Sequence, residues 1–150
     1  MGPDMVSFPK FMPLYLLHPA AVHFPIAILS LGLTAALLSR LLEKPPWLAE
    51  AASWLLWLGT TFAWIAMGLG LLAEKTAPHV PAAWRTLETH ETLAYWSVGL
   101  FAGLSVWRLL LGRRWEAAFL ACWAVAFGVL VATAFEGGEL VFSFGMGVRQ

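Results

Sequence analysis

An all-α fold, an integral membrane bundle of four helices, is predicted by three features of this sequence. Of the 150 residues 60% are apolar and only 12% charged, whereas a soluble domain carries roughly 25% charged residues. Mean hydropathy is +0.74. The apolar residues gather into four long runs, and none shows the period-2 alternation of a barrel strand. So little charge cannot clothe a water-facing surface, which excludes a soluble globular protein and a disordered chain alike. Nine basic and nine acidic side chains cancel, leaving no basic stripe for nucleic acid.

The first run, Phe11 to Ser39, contains no Asp, Glu, Lys or Arg. Prolines 13, 19 and 25 interrupt it and no small-residue cleavage site follows, so a cleavable signal is not expected. Glu43-Lys44-Pro45-Pro46 ends this run, and Pro46 suits the first position of the next helix. Ala51 to Ala73 is the second uncharged run, closed by Ala77-Pro78-His79-Val80-Pro81. The third, Thr92 to Trp107, is shorter, and Leu109–Leu111 extend it if Arg108 snorkels to the interface. Gly112-Arg113-Arg114 makes a turn that fits only antiparallel neighbours, and Ala117 to Phe135 completes the set. A helix needs about 20 apolar residues to cross about 30 Å of hydrocarbon. One domain, 1–150, with spans near 14–42, 47–73, 86–111 and 115–136 is therefore expected. No internal repeat is legible.

Arg40, Lys44, Arg108, Arg113 and Arg114 lie at the first and third connections, against Lys10, Lys75, Arg85 and Arg149 on the other side. The positive-inside rule then favours both termini outside, on the periplasmic side of a bacterial inner membrane. The lone Cys122 permits neither an internal disulfide nor a Cys-based metal cluster. Asn is absent and Gln occurs only at Gln150, a depletion of thermolabile amides that points to a thermophilic source. A G-x-S-x-G elbow, a P-loop, a dinucleotide fingerprint and HExxH are all missing, Ala94 standing where the second His of HExxH would be.

All four histidines, His18, His23, His79 and His90, fall on one side of the membrane, with Glu74, Glu88, Glu91, Glu136 and Glu139. Ligating groups at membrane depth are costly and suggest a site. Pro19 suits a first helical turn, which makes His18 a cap at the membrane surface. His23 then lies about 7 Å deeper and about 140° around the helix, so the two imidazoles address different neighbours. Pro25 has no N–H and leaves the Ala21 carbonyl free, an acceptor for the ring N–H of a ligand imidazole. Without a Cys ligand set, the candidate groups are haem bound through His, or a copper or zinc ion held by His and Glu. Gly99 and Gly103 form a GxxxG in the third span, and Gly68 and Gly70 end the second. Such small residues admit either a flat ring or a neighbouring helix. Trp47, Trp84 and Trp115 lie at span ends as interfacial anchors; Trp54, Trp57, Trp64, Trp96 and Trp123 lie within spans and either wall a pocket or face lipid.

The opening His18-Pro19-x-x-Val22-His23-Phe24-Pro25-Ile26-Ala27 resembles the HPxxVHFPIA motif of the bacterial membrane proteins grouped as domain of unknown function 2231. The close, Gly137-Gly138-Glu139-Leu140-Val141-Phe142 and then Gly145-Met146-Gly147-Val148, resembles the GGELVY…GVGV ending of the same family, and His90 matches a His at the start of its third helix. The chain departs from many relatives at Phe144, where they carry a His. The resemblance implies a four-helix membrane domain. Because relatives occur beside or fused to Rieske and cytochrome modules, it also implies b-type haem and electron transfer, an inference by association.

The expected function is thus a small membrane b-type cytochrome with haem b near the outer face, exchanging electrons with a quinol or a periplasmic redox protein, embedded in the lipid bilayer and able to form a homo-oligomer. A copper- or zinc-binding membrane protein and a structural subunit without cofactor are the alternatives. Axial imidazoles must come from different helices. His23 and His90 are the expected pair, His23 for its depth and the Ala21 carbonyl, His90 for its nearness to Gly99 and Gly103. His18 is expected as a second-site ligand or propionate partner, joined by His79 if a second haem is bound. Depth argues the other way, because His18 matches the level of His90 better than His23 does.

Overall fold

The computed structural model describes residues 14–42, 46–78 and 80–146, and four of its helical segments are long and apolar enough to cross a membrane. The first span is two pieces, α1 (Leu17–Ala21) and α2 (His23–Leu41), preceded by a 3-10 turn at Leu14–Leu16. The joint at Val22 follows from Pro25, which cannot donate to the Ala21 carbonyl and so interrupts the ladder there. α3 (Pro46–Thr76) opens on Pro46, where a missing N–H costs nothing. A 3-10 turn at Pro81–Ala83 leads into α4 (Trp84–Leu111), and α5 (Glu116–Phe142) follows a short turn. At that turn Gly112 adopts φ 57° and ψ −125°, a conformation available to glycine alone at little cost.

α5 runs past the expected end at residue 136. The uncharged run ends at Phe135, yet Glu136-Gly137-Gly138-Glu139 are all helical. The helix continues because its inner face still has neighbours to pack on: His90 lies against Gly137, and Leu140 is buried.

α2 packs on α3 and α5, and α4 packs on the same two helices from the other side. That cyclic order places α2 opposite α4, and α3 opposite α5. In lipid, helices associate through close packing rather than hydrophobic drive, and the inner faces are built accordingly. A Cβ at Gly59 would stand 2.6 Å from Leu29 Cγ and Cδ2, so α2 and α3 approach closely there. A Cβ at Gly32 would stand 3.0 Å from Trp123 Cζ2. Trp123, fully buried, fills the space that Gly32 leaves, and Phe101, Phe119, Leu29 and Leu56 belong to the same buried cluster.

The buried positions reveal a repeat that residue identities conceal. Pro25, Leu29, Gly32 and Ala36 of α2 are buried, and so, at one constant offset, are Ser97, Phe101, Leu104 and Arg108 of α4. Ala52, Leu56, Gly59, Ala63 and Ala66 of α3 match Phe119, Trp123, Ala126, Leu130 and Thr133 of α5 in the same way. The chain is two helical hairpins that use equivalent faces, related by a half-turn about the bundle axis. The first supplies mostly small residues and the second mostly large ones. That complementarity packs the core and erases the similarity between the two sequences.

Arg108 does not snorkel. Its side chain is 5% exposed and folds back to Glu116, with Nη1 to Oε2 at 3.0 Å and Nη2 to Oε1 at 3.1 Å, over the Phe119 ring at 3.9 Å. The tight turn brings Glu116 within reach, and a bidentate partner plus an aromatic face satisfies the guanidinium better than a stretch to the interface. Glu116→Ala leaves that cation buried and unpaired. It should lower stability in detergent by about 3–5 kcal/mol, read by chemical unfolding, and Arg108→Met added to Glu116→Ala should recover most of the loss.

Candidate histidine pair at one end of the bundle

His18 lies in the first turn of α1 as its second residue, not as a cap, because the 3-10 turn before it already supplies the lead-in. From there the ring faces the bundle interior, half-buried, and its Nδ1 is 2.9 Å from the Ala66 carbonyl of α3. His90, two turns into α4, is half-buried in the same way, with Nδ1 2.9 Å from the Thr133 carbonyl of α5. A carbonyl can only accept, so each ring donates from Nδ1 and keeps the lone pair on Nε2. The two ring centres are 6.2 Å apart and the planes cross at 78°.

Each imidazole also rests on a glycine. A Cβ at Gly70 would stand 3.0 Å from His18 Cε1, and one at Gly137 would stand 3.0 Å from His90 Cε1. Gly70 is one turn beyond Ala66 on α3, and Gly137 is one turn beyond Thr133 on α5. The two hairpins thus repeat one arrangement: an imidazole from the first helix, a carbonyl from the second, and a bare Cα a turn further on. A hydroxyl pair backs the second copy. Thr133 Oγ1 donates to the Val129 carbonyl at 2.8 Å, so Ser97 Oγ, 3.0 Å away, is the donor to Thr133.

The structure brings His90 together with His18 and not with His23, which is exposed on α2. The angular offset that separates the two residues on the helix turns one inward and the other outward. The carbonyl that orients an imidazole belongs to Ala66 of the neighbouring helix rather than to Ala21. Gly99 and Gly103 are exposed, with no atom within 4 Å of a Cβ at either, so neither lies against His18 or His90. His79 lies outside the described residues. Trp54, Trp64 and Trp96 point outward, whereas Trp123 is core. Ala66 and Thr133 carry no motif, and Gly137 stands in the closing motif without a sign that it meets an imidazole. The signal available was a small residue four positions before a glycine, near the end of both the second and the fourth span.

Apart from the pair, Glu74 near the end of α3 lines a shallow cleft with Trp84, Leu87, Glu88 and Glu91 at the start of α4. Among the described residues, no group of three or more His, Cys, Asp and Glu side chains is placed to hold a metal ion by itself.

This arrangement defines a four-helix membrane bundle with two equivalent imidazoles set at one end. Over residues 15–150 the chain matches the family described as a predicted membrane protein, DUF2231, and it belongs to that family. No curated protein and no solved structure matches it.

Histidine-selective carbethoxylation of detergent-purified protein, followed by peptide mass spectrometry, checks the placement. His23, which is exposed, should be modified ahead of His18 and His90, whose rings are half-buried.

Proposed function

We propose that this protein is a membrane b-type cytochrome that binds one haem b between His18 and His90 and passes electrons at the outer face of a bacterial inner membrane. The observation that carries the reading is the pair itself. A metal held about 2.0–2.1 Å from each of two imidazole nitrogens puts the ring centres about 6 Å apart, and the rings stand at 6.2 Å. Both rings keep an Nε2 lone pair available to a metal, with Nδ1 oriented by a carbonyl, as is usual for metal-bound histidines. A closed zinc site takes four protein ligands, whereas two imidazoles from opposite helices suit a group that brings its own equatorial nitrogens. When bound, that group supplies reversible one-electron transfer.

The chain's own part is to hold and shield. Ala66 and Thr133 fix the direction of each ring, Gly70 and Gly137 let the rings lie against the helices, and the packed core beneath the pair excludes water. With His18 and His90 both holding the group, it would carry electrons without offering a place for substrate. Relatives' association with Rieske and cytochrome modules fits a redox protein or quinol as partner.

Purified protein titrated with haem b should give sharp Soret and α bands on reduction and bind CO poorly, the behaviour of a six-coordinate low-spin centre. His18→Ala and His90→Ala should each lower haem affinity by more than the roughly 10–100-fold typical of losing an outer-sphere partner, and His23→Ala should retain it. Bands unchanged in both His18→Ala and His90→Ala would remove the assignment. Orientation is read separately. In a Cys122→Ala background, a thiol reagent that cannot cross the membrane should label Val80→Cys in intact cells, and labelling only after lysis reverses the topology.

A further inference from the structure

Neither imidazole is free to choose its plane. At each one a carbonyl takes the Nδ1 proton from one side while a glycine Cα sits beneath the ring, so direction and tilt are set by the neighbouring helix. The resulting angle between the planes, 78°, is therefore a property of α3 and α5 rather than of whatever lies between the rings. We propose that Gly70 and Gly137 are paired positioning residues, one in each hairpin, which hold the His18 and His90 planes nearly perpendicular and thereby set the electronic character of the centre that the two rings share. The shared centre rests on the haem reading above; the positioning of the rings does not.

The geometry separates these two glycines from the others. A Cβ at Gly70 would meet His18 Nδ1 at 3.2 Å as well as Cε1 at 3.0 Å, and a Cβ at Gly137 would meet His90 Nδ1 at 3.3 Å as well as Cε1 at 3.0 Å. A methyl group at either place pushes on the atom that carries the hydrogen bond. The ring must shift by a few tenths of an ångström, and either the tilt or the bond to the carbonyl changes. At Gly68, two residues from Gly70 on α3, and at Gly128 on α5, a Cβ would have nothing within 4 Å. Glycine is a poor helix former relative to alanine, so α3 and α5 carry Gly70 and Gly137 against propensity near their ends, as a close ring requires.

Perpendicular axial imidazoles leave two iron d orbitals nearly degenerate in a low-spin ferric haem, which gives a highly anisotropic paramagnetic resonance spectrum with one dominant low-field feature. Parallel planes lift the degeneracy and give a rhombic spectrum of three resolved lines. The haem-loaded wild-type protein should show the first kind. Gly70→Ala and Gly137→Ala should each move the spectrum toward the second kind and weaken haem binding by about 10–100-fold, by similar factors because the two cradles are equivalent. Gly68→Ala and Gly128→Ala should change neither. A rhombic wild-type spectrum, or Gly70→Ala and Gly137→Ala spectra no different from those of Gly68→Ala and Gly128→Ala, overturns the positioning role while leaving the haem assignment standing.

If the wild-type protein binds no haem, the functional reading fails and the rings are read directly by nitrogen-15 resonance of histidine-labelled protein in detergent. His18 and His90 should both be Nδ1–H tautomers with hydrogen-bonded protons. Gly70→Ala should perturb His18 alone, and Gly137→Ala should perturb His90 alone. An Nε2–H tautomer at either ring in the wild-type protein, a measurement that needs no variant to fold, overturns the proposal.

Discussion

Absence of a side chain, placed on the inner face of a helix, is the constraint on which the remaining structure depends. Within a bilayer the lipid tails are as apolar as the core, so helices hold together only where they come close enough for dense contact. Gly59 lets α2 and α3 meet at Leu29, and Gly32 receives the edge of Trp123. The same device, moved from the middle of the bundle to its histidine end, receives an imidazole at Gly70 and another at Gly137. Packing and site are built by one means, and what differs is only whether an indole, an aliphatic chain or an imidazole enters the gap.

The two ends of the molecule satisfy their polar groups in opposite ways. At the turn between α4 and α5 a full ion pair is drawn into the protein, with Glu116 chelating Arg108 over an aromatic face. At the histidine end the contacts are neutral, from ring N–H to main-chain carbonyl, and they cross between helices within each hairpin. A side chain that bonds to a neighbour's backbone ties position to the helix itself rather than to a mobile side chain. It also uses carbonyls already engaged in their own helix, whose second lone pair is available.

The four spans and the clustering of histidines at one end were legible because length without charge and the distribution of His need no tertiary information. The identity of the pair was not. His18 and His23 are equally apolar in setting, and helix geometry says only that they face different ways. The joint at Val22 and the 3-10 turn before it decide which one turns inward. The role of Gly137 was hidden for another reason: Glu136-Gly137-Gly138-Glu139 has the composition of a loop, yet His90 lies against Gly137 and Leu140 beyond it is buried. The repeat was hidden because several buried pairs match a smaller residue with a larger one, as at Ala52 and Phe119 or Leu56 and Trp123. Complementary volumes in a shared core are the opposite of sequence similarity.

The distance between the histidine pair and the Arg108–Glu116 turn bears on energetics beyond stability. Eighteen residues of α4 separate His90 from Arg108, about 27 Å of helix rise, and the space between is filled by Trp123, Phe101 and Leu56. Moving one elementary charge across the whole membrane potential is worth about 2.3 kcal/mol per 100 mV, but a centre held at one end lies outside most of that field. On the proposed reading, an electron that arrives and departs at this face does no work against the potential. The protein would relay charge along the surface of the bilayer and contribute nothing directly to the voltage across it.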